Sequence, residues 1–285
     1  MLEKIIKKSQ EELFGFLKDR HSDAIVKENS YIFVKGEAPV LFVAHLDTVH
    51  KTKCTNICKS SDGDIIMSPQ GIGGDDRCGV YALEKIYSNA KVKPYLLFTC
   101  DEEIGGLGAI SFADDYSEGK INPIDVKFII ELDRMGFNDA VYYECSSQKL
   151  RTFIEEYGYV ESFGSYSDIC DIAPIIGVAA VNLSCGYYNA HTTSEYIRLS
   201  ELENTIKACL KILEDVEKAP NCEWEAKHSF SKGFDIYDYM CSELLTVYDK
   251  QSLQRFEKQY GRAAVEKLYY KMYDYDTAYD YENKQ

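Results

Sequence analysis

A chain of 285 residues with 47 Asp and Glu against 32 Lys and Arg carries a formal net charge of −15. That balance excludes a non-specific binder of nucleic acid or of an anionic membrane, since both need clustered cations. A hydrophobic content of 45% supports a packed core without staples, in one large domain or in a domain with an appendage.

Apolar residues at helical spacing in "MLEKIIKKSQEELFGFLKDR" predict an amphipathic first helix. "AIVKEN" and "YIFVKG" predict a hairpin, and "PVLFVAH" a buried strand. "CTNICKS" and "DIIMS" predict a second hairpin, with Asp62 and Gly63 in its turn. Next come a helix at "RCGVYALEKIYSNA", a buried strand at "PYLLFTC", a helix near "LGAISFADDY" and a buried strand at "VKFIIEL". The strand "VAAVNLS" and a long helix through "ELENTIKACLKILEDVEK" follow, the helix opened by a capping box from Ser200 to Glu203. Strands alternating with helices define an α/β fold with a mostly parallel central sheet flanked by helices.

Composition shifts near Pro220 toward Tyr and acidic residues. Residues 1–220 are therefore expected to form the functional domain, and residues 221–285 a Tyr-rich helical appendage whose tyrosines pack at helical spacing. The ten cysteines are scattered, many inside apolar runs, and fit reduced thiols in a cytoplasmic protein. Cys54 and Cys58 have no second pair near them, so a structural zinc knuckle is not expected there. The N-terminal stretch has no continuous apolar run of the kind a secretory leader carries, and no stretch elsewhere is long enough to span a bilayer, so a cytoplasmic location is expected.

Three apolar strands end in metal-compatible side chains. "PVLFVA" runs into His45, "PYLLFT" into Asp101, Glu102 and Glu103, and "VKFIIEL" into Asp133. The carboxyl end of the strands is where open α/β sheets bind ligands. "GIGGDDRCG" adds Asp75 and Asp76 at a helix start, and "NAHTTSEYI" adds His191 after another strand. Singly, each has an ordinary reading: a surface histidine, an Asp pair capping a helix, a solvated acidic loop. Their joint placement on one sheet edge points instead to a metal centre. Imidazole and carboxylate donors suit zinc, or manganese or cobalt, and more than four of them suit two metals sharing a carboxylate.

In order, "AHLDTV", "GGDDRCG", "DEEIGGLGA", "ELD" and "AHTTSEY" resemble the five signatures of the co-catalytic dinuclear zinc exopeptidases, a group of aminopeptidases, tripeptidases and deacylases. The resemblance covers roughly residues 35 to 200. It implies two Zn2+, with His45 and Asp133 on one, Glu103 and His191 on the other, and Asp75 bridging. It implies further that Asp47 orients the His45 imidazole, that Glu102 is the general base, and that the Asp75–Asp76 peptide bond is cis. Side chains alternate along an extended segment, so adjacent Glu102 and Glu103 point in different directions.

The intervals from His45 to Asp75 and from Asp133 to His191 are too short for the domains that some branches insert there, which argues against the cage-like assemblies of the tetrahedral type. A minimal domain surrounded by carboxylates favours an aminopeptidase of short peptides, with a deacylase of N-acyl amino acids or related small amides as the alternative. A non-catalytic relative that keeps the fold is disfavoured by the presence of Glu102 and the full ligand set. The expected partner is a short peptide or small amide, for a monomer or small homo-oligomer.

Overall fold

The computed structural model describes residues 1–224 apart from Glu144 and Ser146, together with the single position Lys258. The chain divides into two compact units, Met1–Ala226 and Lys227–Gln285. The expected Tyr-rich appendage lies outside the described residues except for Asn221–Trp224 and Lys258. Residues 221–224 join the first unit: Ala179 N–H donates to Cys222 O at 2.6 Å, and Trp224 N–H to Gly177 O at 3.1 Å.

The N-terminal stretch forms two helices, α1 (Leu2–Ile6) and α2 (Gln10–Arg20), where one was expected. Ser9 is the cause: its hydroxyl accepts from Glu12 N–H at 3.2 Å while Glu12 accepts from Ser9 N–H at 2.9 Å, a reciprocal cap that starts a new helix. Strands β1 (Ile25–Lys27) and β2 (Tyr31–Val34) form the expected antiparallel hairpin, and β3 (Ala38–His45) the expected buried strand. The second hairpin is β4 (Cys58–Lys59) with β5 (Ile65–Met67). Helix α3 (Gly74–Asn89), strand β6 (Pro94–Thr99), helix α4 (Leu107–Ser117) and strand β7 (Phe128–Arg134) follow in the expected order.

Between Asp139 and Ile176 lie elements that the sequence patterns did not announce: β8 (Asp139–Val141), α5 (Gln148–Glu155), β9 (Val160–Ser162) and α6 (Ile169–Ile176). The unit continues through β10 (Ala180–Ser184), β11 (Tyr187–Tyr188), β12 (Tyr196–Arg198) and α7 (Leu199–Glu214). Helix α7 does not use the expected capping box. Asp64, from the hairpin, accepts Ser200 N–H at 2.8 Å and the Ser200 hydroxyl at 2.9 Å, while Glu203 accepts from the Tyr81 hydroxyl at 3.3 Å.

The eight strands of the main sheet run in the order β1-β2-β6-β3-β7-β10-β8-β9, and β11-β12-β5-β4 make a second, four-stranded sheet. β6, β3, β7 and β10 are parallel neighbours, flanked by antiparallel strands on either side. The sheet is therefore α/β and mostly parallel at its centre.

Alternation along each central strand sends residues to opposite faces. Val40, Phe42 and Ala44 of β3 pack with α1, α2, α3, α5 and α7, whereas Leu41 and Val43 pack with α4 and α6. Burial on both faces explains the unbroken apolar runs. Each fully buried Leu, Ile or Phe contributes about 1.5–3 kcal/mol, enough to fix which residues face which layer.

Candidate active site

Four parallel strands ending side by side give the site its floor. His45 is the last residue of β3, paired in register with Thr99 of β6, and Asp133 stands near the end of β7 on the other side. Glu102 and Glu103 occupy the turn between β6 and α4, Asp75 the head of α3, and His191 the loop between β11 and β12. Asp101 and His191 take left-handed backbone angles, φ +61° and +65°, which turn both loops back toward the strand ends.

The two adjacent aspartates separate in role. Asp75 (φ −82°, ψ 103°) is not helical, and the bond between Asp75 and Asp76 is cis. Asp76 is the helix cap: one oxygen accepts Gly79 N–H at 2.8 Å and the other accepts His45 N–H at 3.1 Å. Asp76 also lies in a group with His45 and Asp133 whose donor atoms are within 4.8 Å of one another. Its oxygens are already taken by backbone donors, so Asp75 is the aspartate free to face the site.

The structure brings His45, Asp75, Glu103, Asp133 and His191 together. His45 Nε2 lies 3.0 Å from Asp75 Oδ1 and 3.4 Å from Asp133 Oδ1. His191 Nε2 lies 3.1 Å from Asp75 Oδ2 and 3.2 Å from Glu103 Oε2. Asp75 thus gives one oxygen to each imidazole, with a further carboxylate beside each pair. His45 Nδ1 faces Asp47 Oδ1 at 3.0 Å, and Asp47 also accepts Glu102 N–H and Glu103 N–H, both at 3.0 Å. One carboxylate therefore ties the first histidine to the acidic turn.

No Lys or Arg makes an ion pair with Asp75, Glu103 or Asp133 among the described residues; only the two histidines do. Crowding shows in the titration of the site. Burial and then the Asp75 charge push Asp133 up to about 7. Burial, reinforced by Asp133, Asp168 and Glu103 and opposed by His45, pushes Glu102 up to about 9. Hydrogen bonds to Asp75 and Glu103 hold His191 up to about 11. Burial works against a charged His45, but Asp133, Asp47 and Asp75 together raise it well above the usual histidine range. Asp75 lies well below the carboxylate range because His191 and His45 outweigh its burial.

Glu103 Oε1 is buried without a hydrogen-bond partner, and Glu102's carboxylate bonds to no described residue. Converging carboxylates, two imidazoles and an orphaned buried oxygen are a donor set that fits divalent cations.

Sequence reasoning assigned no role to the groups beneath this rim. Glu195, 0% exposed, accepts Gly73 N–H and Asp75 N–H at 2.8 and 3.0 Å and pairs with His50, so it fixes the loop that presents Asp75. Glu131 shares the face of β7 with Asp133, a spacing of two that the sequence displays in "ELD". Ser167 donates to Glu131 at 2.6 Å, and Asn182 Oδ1 accepts Asp133 N–H at 2.9 Å. Asp168, buried, accepts from the Thr99 hydroxyl. Ile104 in the acidic turn, Leu107 at the start of α4 and Phe137 on the loop leaving β7 are exposed.

The arrangement is that of the zinc exopeptidase-like α/β fold. Among solved structures, aminopeptidase PepT from Bacillus cereus is similar with a TM-score of 0.57 at 16% identity, over 76% of this chain and 97% of that one. A tripeptidase from Staphylococcus aureus gives 0.56 at 13% identity, over 76% and 97%. An aminopeptidase from the archaeon Desulfurococcus kamchatkensis gives 0.54 at 13% identity, over 75% and 93%. No protein-family model and no curated protein sequence matches the chain.

Proposed function

We propose that the chain is a dinuclear metal-dependent peptidase, an aminopeptidase that hydrolyses the N-terminal peptide bond of short peptides. One observation carries the reading: the two oxygens of Asp75 are divided between His45 and His191 at 3.0 and 3.1 Å, the layout of a carboxylate shared by two cations. His45 and Asp133 would hold one metal, Glu103 and His191 the other, with zinc the first choice and manganese or cobalt compatible. Bound there, such cations supply Lewis-acid polarisation of the scissile carbonyl and acidify water.

The remaining chemistry belongs to the chain. Glu102, whose carboxylate bonds to no described residue, accepts a proton from the attacking water and returns it to the leaving amine nitrogen. Asp47 keeps the His45 ring and the acidic turn in register by its three hydrogen bonds. A rim of carboxylates that no Lys or Arg pairs among the described residues favours a substrate that enters with a charged α-amino group. The fold similarity to aminopeptidases and a tripeptidase supports the same reading.

Glu102→Gln is expected to lower turnover of aminoacyl-p-nitroanilides and dipeptides by about 10²–10⁴-fold while metal content by mass spectrometry is unchanged. Glu103→Gln is expected to lose metal. If Glu102→Gln cleaves as fast as the parent, the assignment of the base fails. Hydrolysis confined to N-acyl amino acids would replace the peptidase reading by a deacylase.

A further inference from the structure

Lys8, the Lys51 and Lys53 stretch, and Arg77 are three separate parts of the sequence, yet the fold gathers them around one cleft of about 310 Å3. In a chain of net charge −15 such a gathering needs a cause. Lys53 is engaged by Glu12 at 2.7 Å. Lys8, Lys51 and Arg77 have no ion-pair partner among the described residues; Lys8 lies over the Phe16 ring at 5.3 Å.

Arg77 is the pointed case. It is 2% exposed, and its guanidinium donates to the carbonyl oxygens of Leu46, Asp47 and Lys8, all neutral acceptors. Its Nε is buried with no acceptor, and so is the hydroxyl of Thr48 in the same wall. A buried cation without a contacting counter-ion is costly, and so is a buried donor without a partner. Asp47 is the lining carboxylate, but its oxygens are taken by His45 and by two backbone N–H groups.

The cleft stands apart from the proposed metal site. Asp47 meets the Nδ1 edge of His45, whereas Asp75 and Asp133 meet the opposite Nε2 edge. Its walls nevertheless hold the catalytic segments. Arg77 grips the Leu46 and Asp47 carbonyls, and Gln10 exchanges hydrogen bonds with Asp101 at 2.7 and 3.1 Å.

We propose that this cleft binds a phosphoryl oxyanion, either inorganic phosphate or the phosphoryl group of a small metabolite, and thereby steadies residues 46–48 from behind. Arg77 Nε, the Thr48 hydroxyl and the Lys8 and Lys51 ammonium groups come from three separate segments. Acceptor oxygens spread tetrahedrally, with more than one negative charge, match such a set better than a planar carboxylate does.

Calorimetric titration of the full, metal-loaded chain with inorganic phosphate and with adenosine monophosphate tests this, whether or not any peptide is cleaved. Saturable binding is expected, weakened about ten-fold or more in Lys8→Gln/Lys51→Gln. His191→Ala is expected to leave it within about two-fold, since that change touches only the metal rim. Equal affinity for the two probes assigns free phosphate, and tighter adenosine monophosphate assigns a phosphorylated metabolite. Hydrogen exchange at residues 46–48 is expected to slow on binding. No saturable binding, loss of binding in His191→Ala with retention in the lysine variant, or unchanged exchange on binding overturns the proposal.

Discussion

Two pairs of adjacent acidic residues behave differently because backbone geometry turns neighbours apart. Asp76 caps α3 while Asp75 faces two imidazoles, and Glu103 meets His191 while the Glu102 carboxylate bonds to no described residue. Charges on this rim also set how metal loading depends on pH. His45 lies well above the usual histidine range and His191 at about 11, so both imidazoles are protonated at pH 7 when no metal is bound. Metal ligation needs them neutral, so each proton must leave. Loading with zinc at pH 7 is therefore expected to release about two protons or more per chain, read from how the binding enthalpy varies with buffer ionisation enthalpy. Apparent affinity rises from pH 6 toward pH 9. Release of no proton would mean that the imidazoles are already neutral and the ion pairs with Asp75 are not formed.

Close approach of α3 to β7 places the cap and the strand end together, and Gly79 makes it possible. A Cβ there would press on the Leu132 carbonyl oxygen and on both Asp76 carboxylate oxygens, and the strand backbone cannot yield. Gly79→Ala is expected to destabilise by about 1–3 kcal/mol in urea titration, the cost of overpacking. Gly15→Ala in α2, where an added Cβ meets nothing within 4 Å, is expected to stabilise by about 0.4–1 kcal/mol. Equal effects at the two sites would refute the packing argument. Elements with strong periodicity or bounded apolar runs were legible in the sequence: both hairpins, β3, β6, β7, β10 and helices α3, α4 and α7. β8 and β9 have three residues each and show too little of a period-two pattern to read. The cap of α7 was misplaced because the carboxylate that accepts from Ser200, Asp64, is 136 residues away, a contact that no local motif records.

Across the whole molecule, the rim of the sheet concentrates carboxyls that ionise reluctantly. Asp133 is raised to about 7, Asp168 to about 6 and Glu102 to about 9, all above their unfolded values near 4. A carboxyl raised in the fold disfavours the folded state increasingly as pH climbs from its unfolded value to its folded one. The raised histidines act in the same direction: their stabilisation is complete below about pH 6.5 and fades as pH rises through their folded values. Chelated protein is thus expected to lose Tm steadily from pH 6 to pH 9, while metal-loaded protein holds its Tm, so the gap between them widens with pH. A gap that narrows would show that the rim is not relieved by cations. At this scale the sequence displayed the site better than its support. His45, Glu103, Asp133 and His191 follow strands that can be read from their apolar runs. Glu131, Asp168, Glu195 and Arg77 are charged residues whose burial depends on tertiary packing, and composition reads such residues as surface.

The order β6, β3, β7, β10 in space differs from the order of those strands along the chain. During synthesis, His45 and Glu103 leave the ribosome early, but the second imidazole is residue 191, behind all four strands and just ahead of α7. No emerging fragment shorter than that contains both halves of the rim. Under the proposed function, hydrolytic competence is therefore switched on late in translation, and a truncated chain ending before His191 is disarmed by construction rather than by an inhibitor.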